Sequence, residues 1–194
     1  FSPAIVIKNG IVSSKKMVHT KESPGHPFKI LAIGRLDKIK GFDFLINQVS
    51  KLNFDCKLLI AGSGPEESRL KKLAEENLSP EKCEFLGFRY DIENLMNQCD
   101  LVVSSSHSEG CPMVLIESLF YAKLFISTPV GEAVELLDPD FICNITELGK
   151  KISEAYFSYS SMSSRFRSFA EMAKHRYCST HMVEQYFDSY KFVL

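Results

Sequence analysis

Two carboxylates eight residues apart mark the stretch SEGCPMVLIES, residues 108–118, as a candidate site for chemistry. Glu109 stands just before a Gly-x-Pro turn, and Glu117 falls within the mostly apolar run that follows. A carboxylate among apolar side chains needs a partner, and its two oxygens can accept from two neighbouring sugar hydroxyls. A glycosidase acid and nucleophile would be another use of such a pair. The non-functional alternative is a loop acid followed by a helix-surface acid.

A second candidate group is GRLDKIKGFD, which follows an apolar run near the start of the chain. Gly34 permits close backbone approach, Arg35 and Lys40 are cations, and Gly41 opens a segment with helical period. Cations beside a helix N-terminus are suited to bind phosphate or diphosphate. Two solvated cations in a surface loop would have the same sequence, so this group does not decide the function by itself.

Two further loops carry residues that could contact a ligand. AGSGPEE includes Gly62 but lacks the third glycine of GxGxxG and the Gly-Lys-Ser/Thr of a P-loop. A tight turn leading into a helix is therefore the favoured interpretation, with Gly62 and Gly64 able to lie beside a ligand. In GFRYD, backbone groups and Arg89 could face a nucleotide base, or the loop could be a simple capped turn.

These loops follow predicted strands. Short continuous apolar runs, typical of strands buried on both faces, alternate with segments of helical period. That alternation predicts an α/β fold, a Rossmann-like parallel sheet with helices on both faces, in which ligands bind beyond the carboxyl ends of the strands. The predicted strands are 28–33, 56–61, 83–87, 100–105 and 124–127, and the predicted helices between them are 41–52, 66–78, 91–99 with Asp91 as N-cap, and 113–122.

The chain divides into three predicted regions. Residues 1–27 are interpreted as an interdomain segment and hinge, with one possible strand (AIVI, 4–7) and an Asn-Gly turn at 9–10. Residues 28–145 form the Rossmann-like domain, and residues 146–194 form a helical segment. Three amphipathic helices are predicted in that last region, at 146–157, 163–175 and 180–192.

Composition excludes several classes of function. A formal net charge of −1 gives no basic excess for nucleic-acid binding. No apolar run approaches the roughly 20 residues of a membrane span. Six cysteines without a CxxC pair and five scattered histidines predict reduced thiols in a cytosolic protein and no metal site. The opening Phe-Ser-Pro is neither a translation start nor a signal peptide, so a piece of a longer protein is expected.

In combination, the loop sequences closely resemble a known family. G-R-L-x-x-x-K-G-F-D, L-x-I-A-G-x-G-P-x-x-x-x-L, F-L-G and S-x-x-E-G-x-P-x-V-L-I-E occur in the order and spacing of family 4 glycosyltransferases. Specifically, the chain resembles the C-terminal, nucleotide-sugar-binding half of the two-domain GT-B fold, over residues 5–140.

The resemblance implies a role for each candidate residue. It implies that Arg35 and Lys40 bind the donor diphosphate and that Glu109 contacts the transferred sugar, which makes these three the catalytic candidates. It implies that Glu117 holds the ribose hydroxyls. The other donor-binding residues that it implies are the loop residues Gly110, Cys111, Pro112 and Met113, Phe88 and Arg89 near the base, and Gly34 and Gly62 along the cleft.

The resemblance also implies an activity. It is retaining transfer of a sugar from a UDP, GDP or ADP donor to a glycan or membrane-linked acceptor, in cell-surface polysaccharide or lipopolysaccharide synthesis. No cofactor or metal is expected, because cations could stabilise the leaving diphosphate. The acceptor site belongs in this family to an N-terminal domain missing from this chain, so the chain alone should bind a nucleotide weakly and transfer nothing. The expected location is cytoplasmic, including the inner face of the membrane.

Two other classes of function are compatible with the same architecture. One is a sugar-nucleotide epimerase or phosphorylase, and the other is a non-catalytic nucleotide-sugar-binding subunit. The presence of both cations and both acids argues against the second. Four positions depart from the family pattern and bear on sugar selectivity more than on nucleotide binding. They are Cys111 for a common aromatic residue, Ala122 and Leu124 for Gly and Pro, and Glu132 for the second Gly of a pair.

Overall fold

A computed structural model describes residues 6–12 and 22–191 as an α/β protein. The strands are β1 (Phe28–Ile33), β2 (Cys56–Ala61), β3 (Cys83–Gly87), β4 (Leu101–Ser104) and β5 (Phe125–Ser127). The helices are α1 (Phe42–Val49), α2 (Glu67–Asn77), α3 (Ile92–Gln98), α4 (Met113–Phe120), α5 (Glu132–Leu136), α6 (Leu148–Phe157), α7 (Tyr159–Ala173) and α8 (Ser179–Lys191). All five predicted strands are confirmed, and β1, β2 and β3 have the predicted bounds.

The five strands form one parallel sheet in the order β3-β2-β1-β4-β5. Strand β1 lies at the centre, with Ile30 opposite Leu58 of β2 on one side and Leu101 of β4 on the other. The chain therefore leaves β1 toward one edge of the sheet and returns later to fill the other. This switch in direction puts the loops after β1 and β4 side by side, where open α/β sheets bind ligands.

Helices cover both faces of the sheet, as predicted. With right-handed connections, the strand order places α1 and α2 on one face and α3 and α4 on the other. Helix α1 packs against α2 and α6, and α4 packs against α7. Strands β1, β2, β4 and β5 are largely buried, whereas β3, at the edge of the sheet, has no fully buried residue. The buried residues of the helical tail belong to the same core as β1. That tail contributes Ile152 and Phe166, which are fully buried. Among the described residues, no helix is both long and apolar enough to cross a bilayer.

The segment before the sheet departs from its prediction. Residues 4 and 5 of the possible strand lie outside the described residues, and residues 6–10 form neither strand nor turn. Instead, Ile11 makes an isolated bridge with Cys178, and its N–H donates to the carbonyl of Tyr177 at 2.9 Å. The expected strand and turn are wrong because this backbone hydrogen-bonds with the helical tail rather than with a neighbouring strand.

Helix α4 ends two residues earlier than predicted, at Phe120. Ala122 follows with a φ of 47° and is fully buried, so the departure from the family's glycine lies in a left-handed conformation that favours glycine. The Lys123 N–H donates to the carbonyl of Ser118 at 2.9 Å and closes the helix end. The turn keeps its glycine-type geometry although a methyl group is present.

Replacing Gly62 by alanine should destabilise the protein strongly. Its φ is 147°, and a Cβ there would overlap the carbonyl oxygen of Gly34 on the adjacent strand end. We expect Gly62→Ala to lower the free energy of unfolding by about 2–4 kcal/mol, from backbone strain plus steric overlap. Urea denaturation measures the change.

The matched control is Gly110→Ala. An added Cβ at Gly110 meets nothing within 4 Å, and this glycine does not have a positive φ. Its substitution should change the free energy of unfolding by no more than about 0.5 kcal/mol. Equal effects of the two substitutions would show that the close approach of the strand ends does not constrain residue 62.

Candidate functional site

Backbone hydrogen bonds join the carboxyl ends of β1, β2 and β3. The N–H of Gly34 donates to the carbonyl of Ala61 at 3.0 Å, and the N–H of Gly62 donates to that of Gly87 at 2.8 Å. Each bond continues the strand ladder by one residue into the loops. The loops after the three strands consequently begin at one edge of the sheet, as the sequence predicted.

The loops after β1 and β4 are joined at the switch point. The Ser105 hydroxyl donates to the carbonyl of Lys40 at 2.9 Å, and the N–H of His107 donates to that of Ile39 at 2.7 Å. Gly41 has a φ of 62°, and a Cβ there would overlap the carbonyl oxygen of Ser105. Gly41 directly precedes α1 as predicted, and the close approach of the two loops requires a glycine there.

Lys40 and Glu109 form an ion pair across these loops. Lys40 Nζ donates to Glu109 Oε1, and the two side chains are 24% and 15% exposed. The Ser106 hydroxyl donates to the same carboxylate oxygen at 2.8 Å. The Lys40 side chain also runs against Gly34, where an added Cβ would meet its Cε at 3.3 Å. Two predicted catalytic residues from distant parts of the chain thus meet directly.

A cavity of about 460 Å³ opens at the ends of β1, β2 and β3. Lys40 and Glu109 do not line it, but Gly34, against which the Lys40 side chain runs, does. Five predicted donor-binding residues line it: Gly34, Arg35, Gly62, Phe88 and Arg89. Gly64, the second glycine of AGSGPEE, lines it as well. The remaining lining residues were not predicted, and they are Ile33, Ala61, Ser63 and Ile92. Arg35 is 73% exposed and its Nε lies 3.9 Å from Asp37 Oδ2, so its guanidinium is free to reorient.

The Arg89 side chain forms an ion pair with Asp91. Its Nε and a terminal nitrogen donate to the two carboxylate oxygens at 2.6 and 2.5 Å, and these bonds hold the pKa of Asp91 at about 2. Asp91 occupies the predicted N-cap position of α3, but its side chain makes no capping hydrogen bond and binds Arg89 instead. Phe88, 63% exposed, presents its ring at the cavity and meets Tyr90 edge-on at 4.8 Å.

Glu117 lies in a second cavity of about 360 Å³. Ile92 lines both cavities, so they adjoin. Within the described part of the chain, the Glu117 carboxylate has no hydrogen bond or ion pair, and burial raises its pKa to about 7. The remaining residues around it are Tyr90, Asp91, Glu93, Asn94 and Tyr121. A half-buried carboxylate without a protein partner is suited to accept from ligand hydroxyls.

The loop between the two acids differs in detail from its prediction. Gly110 is not required by steric crowding, because nothing lies within 4 Å of an added Cβ there. The crowded glycine is Gly131, with a φ of 48° and a Cβ position that overlaps the carbonyls of Glu109 and Gly110. Pro112 is buried as the residue before α4, and Met113 is exposed with its sulfur 3.9 Å from Asn9 Nδ2.

Glu132 has structural partners that the sequence did not indicate. Its carboxylate accepts from Lys8 Nζ and from the Tyr177 hydroxyl, and its N–H donates to the carbonyl of Gly110 at 2.8 Å. Burial opposes its ionisation, but the two side-chain hydrogen bonds outweigh burial and lower its pKa. Half-buried Cys111 is close to this group, and burial, with the charge of Glu132, raises its thiol pKa. The Glu132 side chain therefore links the start of α5 to Lys8 and Tyr177, whereas its contact with the Glu109 loop is a backbone bond that a glycine would also make.

Comparison with known proteins establishes the family. The family model of glycosyl transferases group 1 matches residues 14–168. This chain belongs to the glycosyltransferase group 1 family. An uncharacterised glycosyltransferase of Haemophilus influenzae is 31% identical over 131 residues, which are 62% of this group 1 chain and 37% of that protein. The N-acetylgalactosamine-N,N'-diacetylbacillosaminyl-diphospho-undecaprenol 4-alpha-N-acetylgalactosaminyltransferase of Campylobacter jejuni is 40% identical over 90 residues, 46% of this chain and 25% of that protein.

Solved structures agree with the fold. Anabaena Alr3699/HepE, crystallised with UDP and glucose, superposes on this group 1 chain with a TM-score of 0.81 at 22% identity. The match covers 86% of this chain and 48% of that protein. The chain thus spans about half the length of this solved structure and, in the two curated relatives, 37% and 25% of their lengths. The predicted family and GT-B-type fold are confirmed.

Removing the Glu117 charge should stabilise the free protein in a pH-dependent way. The pKa of Glu117 is raised from 4.5 to about 7, so ionisation costs the folded state stability as the pH rises through that window. We expect the free energy of unfolding of Glu117→Gln, relative to wild type, to increase by about 1–3 kcal/mol between pH 4.5 and pH 8. Urea denaturation across this range measures the difference.

Glu75→Gln serves as the control, because Glu75 is exposed on α2. Its stability difference from wild type should stay constant over the same range. A constant difference for Glu117→Gln as well would mean that burial does not oppose the Glu117 charge.

Proposed function

We propose that this chain is the donor-binding part of a glycosyltransferase that moves a sugar from a nucleoside-diphosphate sugar to a glycan or lipid-linked acceptor. UDP is the favoured nucleotide. The reaction proceeds with retention of anomeric configuration and serves cell-surface polysaccharide synthesis at the cytoplasmic face of the membrane. Membership of the family supports sugar transfer, and the geometry at the switch point supports the donor as the ligand.

The contact between Lys40 and Glu109 carries the proposal. It places a cation and a carboxylate from two neighbouring strand ends together, next to a cavity large enough for part of a nucleotide. A donor diphosphate needs the cation, and the transferred sugar offers hydroxyls to the carboxylate. One ligand that extends across the switch point would use both residues.

Each part of the donor then has a protein partner. The base lies in the larger cavity against the exposed ring of Phe88, and the Arg35 side chain at the same cavity turns toward the diphosphate. The ribose reaches the adjoining cavity, where Glu117 accepts from its two hydroxyls. Lys40 and Arg35 stabilise the charge that develops on the leaving diphosphate, without a metal or other cofactor.

The nucleotide and acceptor are proposed on the basis of similar proteins. HepE was crystallised with UDP and glucose, which favours UDP over GDP and ADP. The Campylobacter relative is named for an acceptor linked to diphospho-undecaprenol, which favours a lipid-linked acceptor. We assign the acceptor site to an N-terminal domain outside this chain, because the chain covers only part of these proteins.

A thermal-shift screen with UDP, GDP and ADP tests the donor site. We expect UDP to raise the melting temperature and Lys40→Ala to weaken UDP binding about 10- to 100-fold, because a charge-assisted bond to phosphate is lost. Glu117→Ala should weaken UDP binding about tenfold, through lost ribose contacts.

The control for Lys40 is Lys38→Ala, since Lys38 is exposed in the same short turn and carries the same charge. It should bind UDP within about twofold of wild type, the change expected from a distant screened charge. Equal losses in the two lysine variants would indicate a non-specific charge effect. No melting-temperature shift with any of the three nucleotides would count against a donor site and favour a non-catalytic role.

Product stereochemistry tests the transfer reaction in the full-length protein. With an α-linked sugar donor, we expect the first product to carry the α anomer, which proton NMR of the freshly formed linkage identifies. Glu109→Ala should lower turnover about 100-fold or more, because a contact to the reacting sugar is removed. The 194-residue chain alone should give no transfer. A β product would overturn retention, and robust transfer by the chain alone would overturn the requirement for another domain.

A further inference from the structure

We propose that Ser106 is a positioning residue that orients the Glu109 carboxylate toward the donor sugar, and that Thr128 in turn fixes Ser106. This inference rests on the proposed function, because it assumes that Glu109 meets the sugar of a bound donor. Ser106 is the serine of the S-x-x-E motif, to which no role was assigned from the sequence, and Thr128 lies outside every motif of the resemblance.

The geometry around Glu109 is asymmetric. Lys40 Nζ and the Ser106 hydroxyl, the latter at 2.8 Å, both donate to Oε1. Within the described part of the chain, no hydrogen bond is made to Oε2. One oxygen is therefore held by the protein, and the other is available to a ligand. Holding one oxygen fixes the rotation of the carboxylate and thereby sets the direction in which the second oxygen accepts.

The backbone at Ser106 is fixed by a hydrogen bond from Thr128. The Thr128 hydroxyl donates to the carbonyl of Ser106 at 2.5 Å, and the Thr128 N–H donates to the carbonyl of Ser104 at 3.0 Å. Ser106 and Thr128 are each only 3% exposed. They follow β4 and β5, which pair at Ser104 and Ser127, so both residues start from rigid strand ends. A chain of hydroxyl contacts thus runs from the end of β5 to Glu109.

Donor binding makes the Ser106 contact more important. In the free protein, Lys40 and Ser106 both donate hydrogen bonds to Glu109 Oε1. A diphosphate competes with Glu109 for Lys40, since both are anions and the phosphate carries more charge. When Lys40 turns to the diphosphate, Ser106 is the remaining donor to Glu109 among the described side chains. The hydroxyl then keeps the carboxylate in place for the sugar.

The test uses the full-length protein and separates nucleotide binding from sugar binding. The probes are UDP and whichever of UDP-glucose, UDP-galactose and UDP-N-acetylglucosamine wild type hydrolyses fastest. We expect Ser106→Ala to lower affinity for the sugar nucleotide and its hydrolysis rate about tenfold, the loss of one hydrogen bond to a charged group. Its affinity for UDP should stay within twofold of wild type, since UDP lacks the sugar that Glu109 contacts.

Three further variants make the result specific. Ser106→Thr retains the hydroxyl and should recover most of the hydrolysis rate. Thr128→Val, which removes the hydroxyl behind Ser106 at nearly equal volume, should show a smaller loss in the same direction. Ser108→Ala is the matched control, because Ser108 is exposed on the same loop. It should behave as wild type.

The outcomes separate this proposal from the proposed function. Wild-type behaviour of Ser106→Ala, or equal loss of UDP and sugar-nucleotide binding, would overturn the positioning role and leave the donor site intact. A wild-type protein that binds neither UDP nor any of the three sugar nucleotides would overturn the proposed function, and the positioning role with it.

Discussion

Strand β1 pairs with β2 on one side and with β4 on the other, and the candidate site is built on this arrangement. Because all strands are parallel, the loops that follow β1 and β4 meet although Lys40 and Glu109 are 69 residues apart in sequence. Backbone and hydroxyl contacts at Ser105 and His107 hold the two loops together independently of the ion pair. Two side chains that are distant in sequence are thereby brought together by strand order.

At Glu117, the requirements of folding stability and of ligand binding are opposed. Most buried polar groups in proteins are paired, and an unpaired carboxylate in an apolar helix opposes folding. Glu117 has no protein partner among the described residues, and its raised pKa expresses that cost. By contrast, Glu132 has a lowered pKa because Lys8 and Tyr177 satisfy its carboxylate. An unpaired carboxylate such as Glu117 is typical of a group that a ligand completes. A paired carboxylate such as Glu132 is typical of a group with a structural role.

The sequence predicted the elements and loops well where local pattern determines them. Continuous apolar runs fix the strands, so β1, β2 and β3 were predicted to the residue. Helix α5 was missed because five residues are too short to show a helical period. The sequence also could not show which glycine is crowded, since that depends on chain neighbours brought in by folding. For the same reason the partners of Asp91 and Glu132 were not predictable. The resemblance assigned Lys40 and Glu109 to the same donor, but their direct ion pair was not predicted either.

The ion pair of the free protein has one further consequence, for competition among small ions. Lys40 already has an internal counter-ion in Glu109, so the pair has no net charge and attracts a passing anion weakly. Chloride or bicarbonate would have to displace a covalently tethered carboxylate, whose local concentration is far above that of any cellular anion. The proposed donor would differ, because its base and ribose would occupy the neighbouring cavities and bring the diphosphate to Lys40 at comparable effective concentration. The free site therefore binds abundant inorganic anions weakly, so these anions compete little with a ligand for Lys40.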